Sequence, residues 1–186
     1  VGGLKYRDLD GKDGITAADQ TWIYNPVPAF SYGLNIGLTY KNFDLSMFWQ
    51  GVFDKDVYNN QKFQTDFWSI TDAGSNKGSR LLGAWTTGNT GSSIPALTTN
   101  NTADEGRAST YYVENGSYLK LRSLRVGYRL PESVLSALHL SNARFYVSGQ
   151  NLLTLKSSGL TCSDPENPDW NYPIASSFSV GLQIGF

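Results

Sequence analysis

The residues of this chain best placed to bind an ion lie near its start. Residues 8–19 read D-L-D-G-K-D-G-I-T-A-A-D. Alternating carboxylates, a glycine turn and a carboxylate at the twelfth place are how a short loop wraps a calcium ion in oxygen ligands. Asp8 takes the first place, Asp10 the third, Ile15 the eighth and Asp19 the twelfth. Lys12 stands fifth, where a carboxylate belongs, and Asp13 stands sixth, where a glycine should turn the chain. An ammonium inside a cation cage is repulsive. Either Asp13 shifts by one place to complete the set Asp8, Asp10, Asp13 and Asp19, or the loop is an acidic turn held by Asx hydrogen bonds.

Bond-making chemistry finds no footing. The one cysteine, Cys162, excludes an internal disulfide framework and a Cys-rich zinc site, and the one histidine, His139, removes most metal and nucleophile constellations. No G-x-S-x-G, H-E-x-x-H, phosphate loop or C-x-x-C is present, so the chain reads as no enzyme. A net charge of -1 points to no nucleic-acid partner. The candidate ligand contacts are loop aromatics: Trp68, Trp85, Tyr111 and Trp170. Their faces suit sugar rings and peptide side chains; the competing role for each is to anchor its own loop.

The elements that must position these residues follow from period two. Residues 177–186, S-F-S-V-G-L-Q-I-G-F, put Phe178, Val180, Leu182, Ile184 and Phe186 on one face and small or polar residues on the other. Residues 31–40 and 43–51 repeat the pattern around a tight turn at Lys41-Asn42, which predicts a hairpin. Tyr32 and Trp49 fall at one end of its apolar band, Tyr40 and Phe43 at the other, as a membrane interface favours. Residues 118–130 alternate with one phase slip at Arg122-Ser123, where a β-bulge would restore a continuous face. Lys120, Arg122, Arg125 and Arg129 then point mostly to the wet side, which suits a polar lumen better than a sandwich core. A short helix over 131–140 and a strand over 143–155 complete the set. His139 reads as structural.

That makes five strands joined by short, long, short and long connections. Residues 1–30 and 54–116 read as long loops, with 61–70 either a short helix or extended. A loop of that length counts against a compact soluble domain and is expected of an outer-membrane barrel. Five strands cannot close a membrane barrel, which takes about eight or more. An open sheet in lipid leaves bare backbone groups on each edge. The chain is therefore expected to pair with further strands, and Val1 is read as an internal start.

Several stretches resemble SusC/RagA-type TonB-dependent transporters. These are the Asp-rich loop followed by P-x-P-x-F-S-Y-G-L-N at 26–35, K-N-F-D-L-S-M-F-W-Q-G at 41–51, E-N-G-S-Y-L-K-L-R-S-L-R-V-G-Y at 114–128, R-F-Y-V-S-G-Q-N-L-L at 144–153, and the terminal aromatic. Where this chain has Lys12-Asp13, the family's loop usually has D-G. The resemblance implies an all-β fold: a carboxy-terminal five-strand segment of an antiparallel transmembrane barrel of about 22 strands with long extracellular loops. It implies a plug domain absent from this chain, TonB-dependent import of oligosaccharides or peptides, and a SusD-like surface lipoprotein. The implied partners are the amino-terminal remainder of the barrel and plug, TonB, that lipoprotein, the lipid bilayer and the imported ligand. The implied location is a Bacteroidetes-type outer membrane, with loops extracellular and the carboxy terminus periplasmic. The alternative of another class is a soluble β-sandwich that binds carbohydrate and carries a calcium loop.

Overall fold

The computed structural model describes residues 2–67, 76–98, 103–169 and 171–186. Its chain divides into two compact units, one of Val1–Pro26, Asp56–Glu114 and Thr161–Asn171, the other of Val27–Lys55, Asn115–Leu160 and Tyr172–Phe186.

The second unit is a sheet. Strands β1 (Phe30–Tyr40), β2 (Phe43–Phe53), β5 (Tyr118–Arg129), β6 (Asn142–Lys156) and β7 (Ser177–Gly185) lie side by side in that order, each antiparallel to its neighbour. The two-residue turn between β1 and β2 puts Lys41 at φ 52°, the left-handed conformation a tight hairpin needs. The link from β5 to β6 holds a short helix, α2 (Glu132–Ala137), ended by His139 at φ 55°. His139 acts there as a helix terminator, in keeping with its structural reading.

Register aligns the apolar residues into rows across all five strands. One row is Tyr40, Phe43, Tyr128, Phe145 and Leu182; the next is Leu38, Leu45, Val126, Val147 and Val180. Phe43 and Tyr128 stack with ring centroids 4.7 Å apart. The phase slip found in the sequence is a bulge: β2 pairs Phe48 with Ser123 and Trp49 with Leu121, leaving Arg122 as the extra residue. The register of β6 shifts at the same level, where Asn151 adopts φ 52°. Arg122 ties the bulged column together, donating from Nε to Gln50 on β2 (2.8 Å) and from Nη1 to Asn151 on β6 (3.4 Å).

The apolar face is uncovered. Phe178, Val180 and Leu182 are 74%, 68% and 62% exposed, and Leu38, Phe43 and Val126 are exposed with them. A sandwich would seal these side chains against a second sheet of the same chain. Among the described residues the other sheet is a pair of three-residue strands, β3 (Asp56–Tyr58) and β4 (Val113–Asn115). No described helix is long and apolar enough to cross a membrane, which says nothing of a barrel that crosses with strands.

The first unit shows what residues 54–112 become without a sequence period. Helix α1 (Asn60–Asp66) makes the first part of the 61–70 stretch helical, Phe67 is extended, and 68–70 lie outside the described residues; a 3-10 turn, Ser79–Gly83, lies further on. Phe63, Phe67, Tyr111 and Tyr58 gather around Tyr112, which is fully buried. Its hydroxyl donates to the Glu105 carbonyl (2.5 Å). Burial pushes the Tyr112 phenol well above its ordinary range.

Candidate functional site

The wet face of the sheet carries mostly positive charge. Across the five strands Asp44 is the sole acidic residue, against Lys120, Arg122, Arg125, Arg129, Arg144 and Lys156. The whole chain has 15 basic and 16 acidic residues, so its remainder is net acidic. Asp44 sits on β2 and Arg144 on β6, with β5 between them. Arg144 donates from Nε to Asp44 Oδ1 (2.9 Å) and from Nη2 to Oδ2, a bidentate pair. The strand between gives way at Gly127, whose Cα partners are Asp44 and Tyr146. A Cβ at Gly127 would stand 2.6 Å from Asp44 Oδ1 and 2.6 Å from Arg144 Nη2. The glycine is the window through which the pair meets.

Tyr146 fills the next place in that row. Its ring lies over Gly181 of β7, where a Cβ would overlap it. The Arg125 guanidinium carbon is 5.1 Å from the ring centroid and that of Arg144 is 5.4 Å. Arg125 and Arg129 are exposed, and both lie near enough to the Asp44 carboxylate to attract it.

In the loop unit the polar groups are buried and paired. Asn59 caps α1 by accepting the Lys62 amide on Oδ1 (2.9 Å). Its Nδ2 donates to Glu114 Oε2 (2.8 Å) and to Thr161 Oγ1 (2.8 Å). Glu114 also accepts the Thr161 amide and hydroxyl, each at 2.8 Å, and pairs with Lys62 at 3.5 Å. Burial alone would raise the Glu114 carboxyl, but the Thr161 and Asn59 donors hold it below its ordinary range. Burial, with Arg80 nearby, lowers the Lys62 ammonium. A second knot joins the Asp66 carboxylate to Arg80 and to the Tyr111 hydroxyl (2.7 Å).

Of the aromatics singled out in the sequence, Tyr111 belongs to this second knot. Its hydroxyl also accepts from Arg80 (2.8 Å), and the Lys62 ammonium lies 4.0 Å from its ring centroid. Desolvation and the Asp66 bond raise its phenol above the usual range. Trp85 donates its amide to the Ile94 carbonyl (2.9 Å), and its ring packs against Gly2, where a Cβ would stand 2.6 Å from it. Trp68 and Trp170 lie outside the described residues. Cys162 is buried, its thiol 3.5 Å from the Asp164 carbonyl.

The Asp-rich loop brings Asp8, Asp10 and Asp19 together, with ligand oxygens all within 4.8 Å of one another. Asp13 is not in that group. Asp19 closes a capping box with Thr16 and accepts the amides of Leu9 (2.8 Å) and Thr16 (2.7 Å). Those amides lower its carboxyl to about 2. The Lys12 ammonium stands 3.3 Å from Asp10 Oδ2, supplying a positive charge beside the oxygens. The oxygen set suits a hard cation, and Lys12 competes for one of its ligands.

Sequence reasoning from the alternation along 43–51 and 143–155 puts Asp44 and Arg144 on the wet face but does not join them. It had no reading for Gly127, Asn59 or Thr161. A glycine between Val126 and Tyr128 in a strong strand was the available signal for a close approach.

No family model matches the chain. Among curated proteins it is similar along its whole length to TonB-dependent receptor P3 of Formosa agariphila, at 34% identity, and to TonB-dependent receptor P26 of the same organism, at 28%. The chain spans about a fifth of these relatives, 19% and 20% of their lengths. Among solved structures it is similar to the RagAB peptide transporter, with a TM-score of 0.75 at 26% identity over 94% of this chain and 19% of that one. It is similar also to the RagAB peptide importer in its 'closed-closed' state, with a TM-score of 0.74 at 27% identity over 96% of this chain and 20% of that one.

Proposed function

The chain belongs to the TonB-dependent receptor family, and from that premise we propose that its five long strands are part of the wall of an outer-membrane barrel that imports a nutrient at TonB's expense. The observation that carries this reading is the row structure of the sheet. Apolar residues stay in line through two aligned bulges and remain exposed on one face, while the other face is polar and cationic. Lipid would cover the first face and water the second. The outer edges of β1 and β7 would be closed by further strands, because bare amides and carbonyls in hydrocarbon cost several kcal/mol each.

The cargo class that the reading favours is peptide, because both solved neighbours are named as peptide carriers. A SusD-like lipoprotein as surface partner is part of the same proposal, as are periplasmic short turns at 41–42 and 130–141. Trp85 and Tyr111 would act in ligand contact through the loop unit they hold, and the Asp8, Asp10 and Asp19 carboxylates would hold calcium. Bond-making residues are not required. The chain's own work is to span the membrane, keep a wet path and present loops.

The test is uptake of a labelled peptide mixture by cells carrying the intact transporter, with and without TonB. Uptake that stops without TonB supports the proposal. Uptake indifferent to TonB, or a protein released from membranes without detergent, overturns it.

A further inference from the structure

Strand β6 outruns its neighbour. Its pairing with β7 stops at Gln150 and Ser177, while its pairing with β5 continues through Leu153 to Lys156. The sequence would let β7 run on. Continuing the same register sets Ile174 opposite Leu153 and Tyr172 opposite Leu155, apolar against apolar and in phase with Phe178 and Val180. The pairing ends where Asn151 turns to φ 52°, out of the extended range. Its carbonyl accepts the Ser176 hydroxyl (2.6 Å), and its Nδ2 donates to the Ala175 carbonyl (3.4 Å). Its Oδ1 accepts Nη1 of Arg122, the extra residue of the β5 bulge (3.4 Å). One residue thus holds the bulge on one side and the entry to β7 on the other.

We propose that Asn151, steadied by Arg122, is a ladder stop that keeps residues 172–176 from pairing with β6. Asparagine suits the task because it tolerates the left-handed conformation and its short amide bonds to nearby backbone. A β-branched residue there would favour extended backbone and lift the stop. β7 would then zip back along β6, and each residue gained by the strand is one lost from the loop between β6 and β7. The length of that loop is set from inside the wall, by one side chain. Pro173 is the rival cause, since it brings no amide to a ladder. The inference concerns the sheet alone and stands apart from what the barrel imports.

The test is disulfide formation in the intact protein. Leu153→Cys with Ile174→Cys reads the zipped pairing. Val147→Cys with Val180→Cys, which are partners in the present register, reads the ladder already formed. The two pairs lie an even number of residues apart, so they hold the same kind of place in the ladder. With Asn151 in place the first pair should stay open and the second should close. Asn151→Val should raise closure of the first pair by at least about tenfold, the worth of one or two backbone hydrogen bonds. Asn151→Asp, which keeps the acceptor for Arg122 and the tolerance of the left-handed turn, should leave it open. Closure of the first pair with Asn151 or Asp at this place overturns the stop. So does an Asn151→Val protein in which that pair stays open. Pro173→Thr that closes it as fully as Asn151→Val also overturns it, because the proline is then the stop. An Asn151→Val protein that loses the second link as well overturns it too, because Asn151 is then needed by the sheet itself.

Discussion

Asp44 and Arg144 are a hundred residues apart and sit on strands that do not touch, yet they form a bidentate pair over the backbone of Gly127. The pair therefore reports on three strands at once. Gly127→Ala should break it by placing a methyl between the partners, and overpacking of this kind costs about 1–3 kcal/mol. Asp44→Asn should cost less, because it removes a charge without adding bulk. The melting of the folded barrel, followed by heat-dependent gel mobility, ranks the two. Equal effects would show that the window at Gly127 is not needed.

The lipid-facing rows give a prediction that a soluble protein would not share. Val180→Arg should destabilise the barrel by about 2–4 kcal/mol if it lies near mid-bilayer. Ser179→Arg, one residue earlier on the wet face, should be nearly neutral. Because Val180 is 68% exposed, packing within this chain cannot account for such a penalty. Urea titration of the barrel refolded in vesicles measures both; matched values would remove lipid as the cause.

That alternation was legible in the sequence because it is local. Leu34, Ile36 and Leu38 declare their face by spacing alone, and Arg122-Ser123 declared the bulge by breaking the phase. The loop unit was not legible because its order comes from distant partners. Asn59 reaches Glu114 and Thr161, 55 and 102 residues away, and Tyr111 reaches Asp66 across 45. No window of sequence contains those pairs. The Asp8–Asp19 loop stood between: its carboxylates were visible, but the turn that excludes Asp13 from the cluster and brings Lys12 to Asp10 was not.

Asn59 is the keystone of the loop unit, so its replacement should be felt beyond its own helix. Asn59→Ala removes a cap and leaves Glu114 short of a donor, at about 3 kcal/mol together. Asn59→Asp should be worse at neutral pH, because it sets a second carboxylate against Glu114. Hydrogen exchange across 56–67 and 111–115 should rise in both. Exchange limited to α1 would mean that the buried network does not act as one.

Acid should loosen the same unit. The Glu114 carboxyl is held below its unfolded value of 4.5, and that of Asp19 falls from 3.8 to about 2. A depressed carboxyl stabilises the fold above its unfolded value, and the contribution is lost as pH falls through the folded one. Protection of the loop unit should therefore hold down to about pH 4.5 and decline below it, with the Asp-rich loop opening last. Limited proteolysis by an acid-active protease measures this, and Glu114→Gln should abolish the first step.

Calcium binding to the Asp-rich loop should be weak while Lys12 is present. Lys12→Asp exchanges a competing ammonium for a ligand and should tighten binding by at least about tenfold, because ligand charge sets affinity in such loops. Asp13→Asn should change little, since Asp13 lies outside the cluster. Titration calorimetry with calcium alone reads all three proteins. An unchanged heat for Lys12→Asp would assign the loop to its own hydrogen bonds.

The loop unit is drawn from three stretches of chain, Val1–Pro26, Asp56–Glu114 and Thr161–Asn171, with long strands threaded between them. Its inheritance follows from that. A hybrid of two related proteins whose junction falls inside β5 or β6 would join a Glu114 from one parent to a residue 161 from the other, and the knot would not tie. Where the parents differ at these positions, the knot is kept only when all three stretches come from one of them.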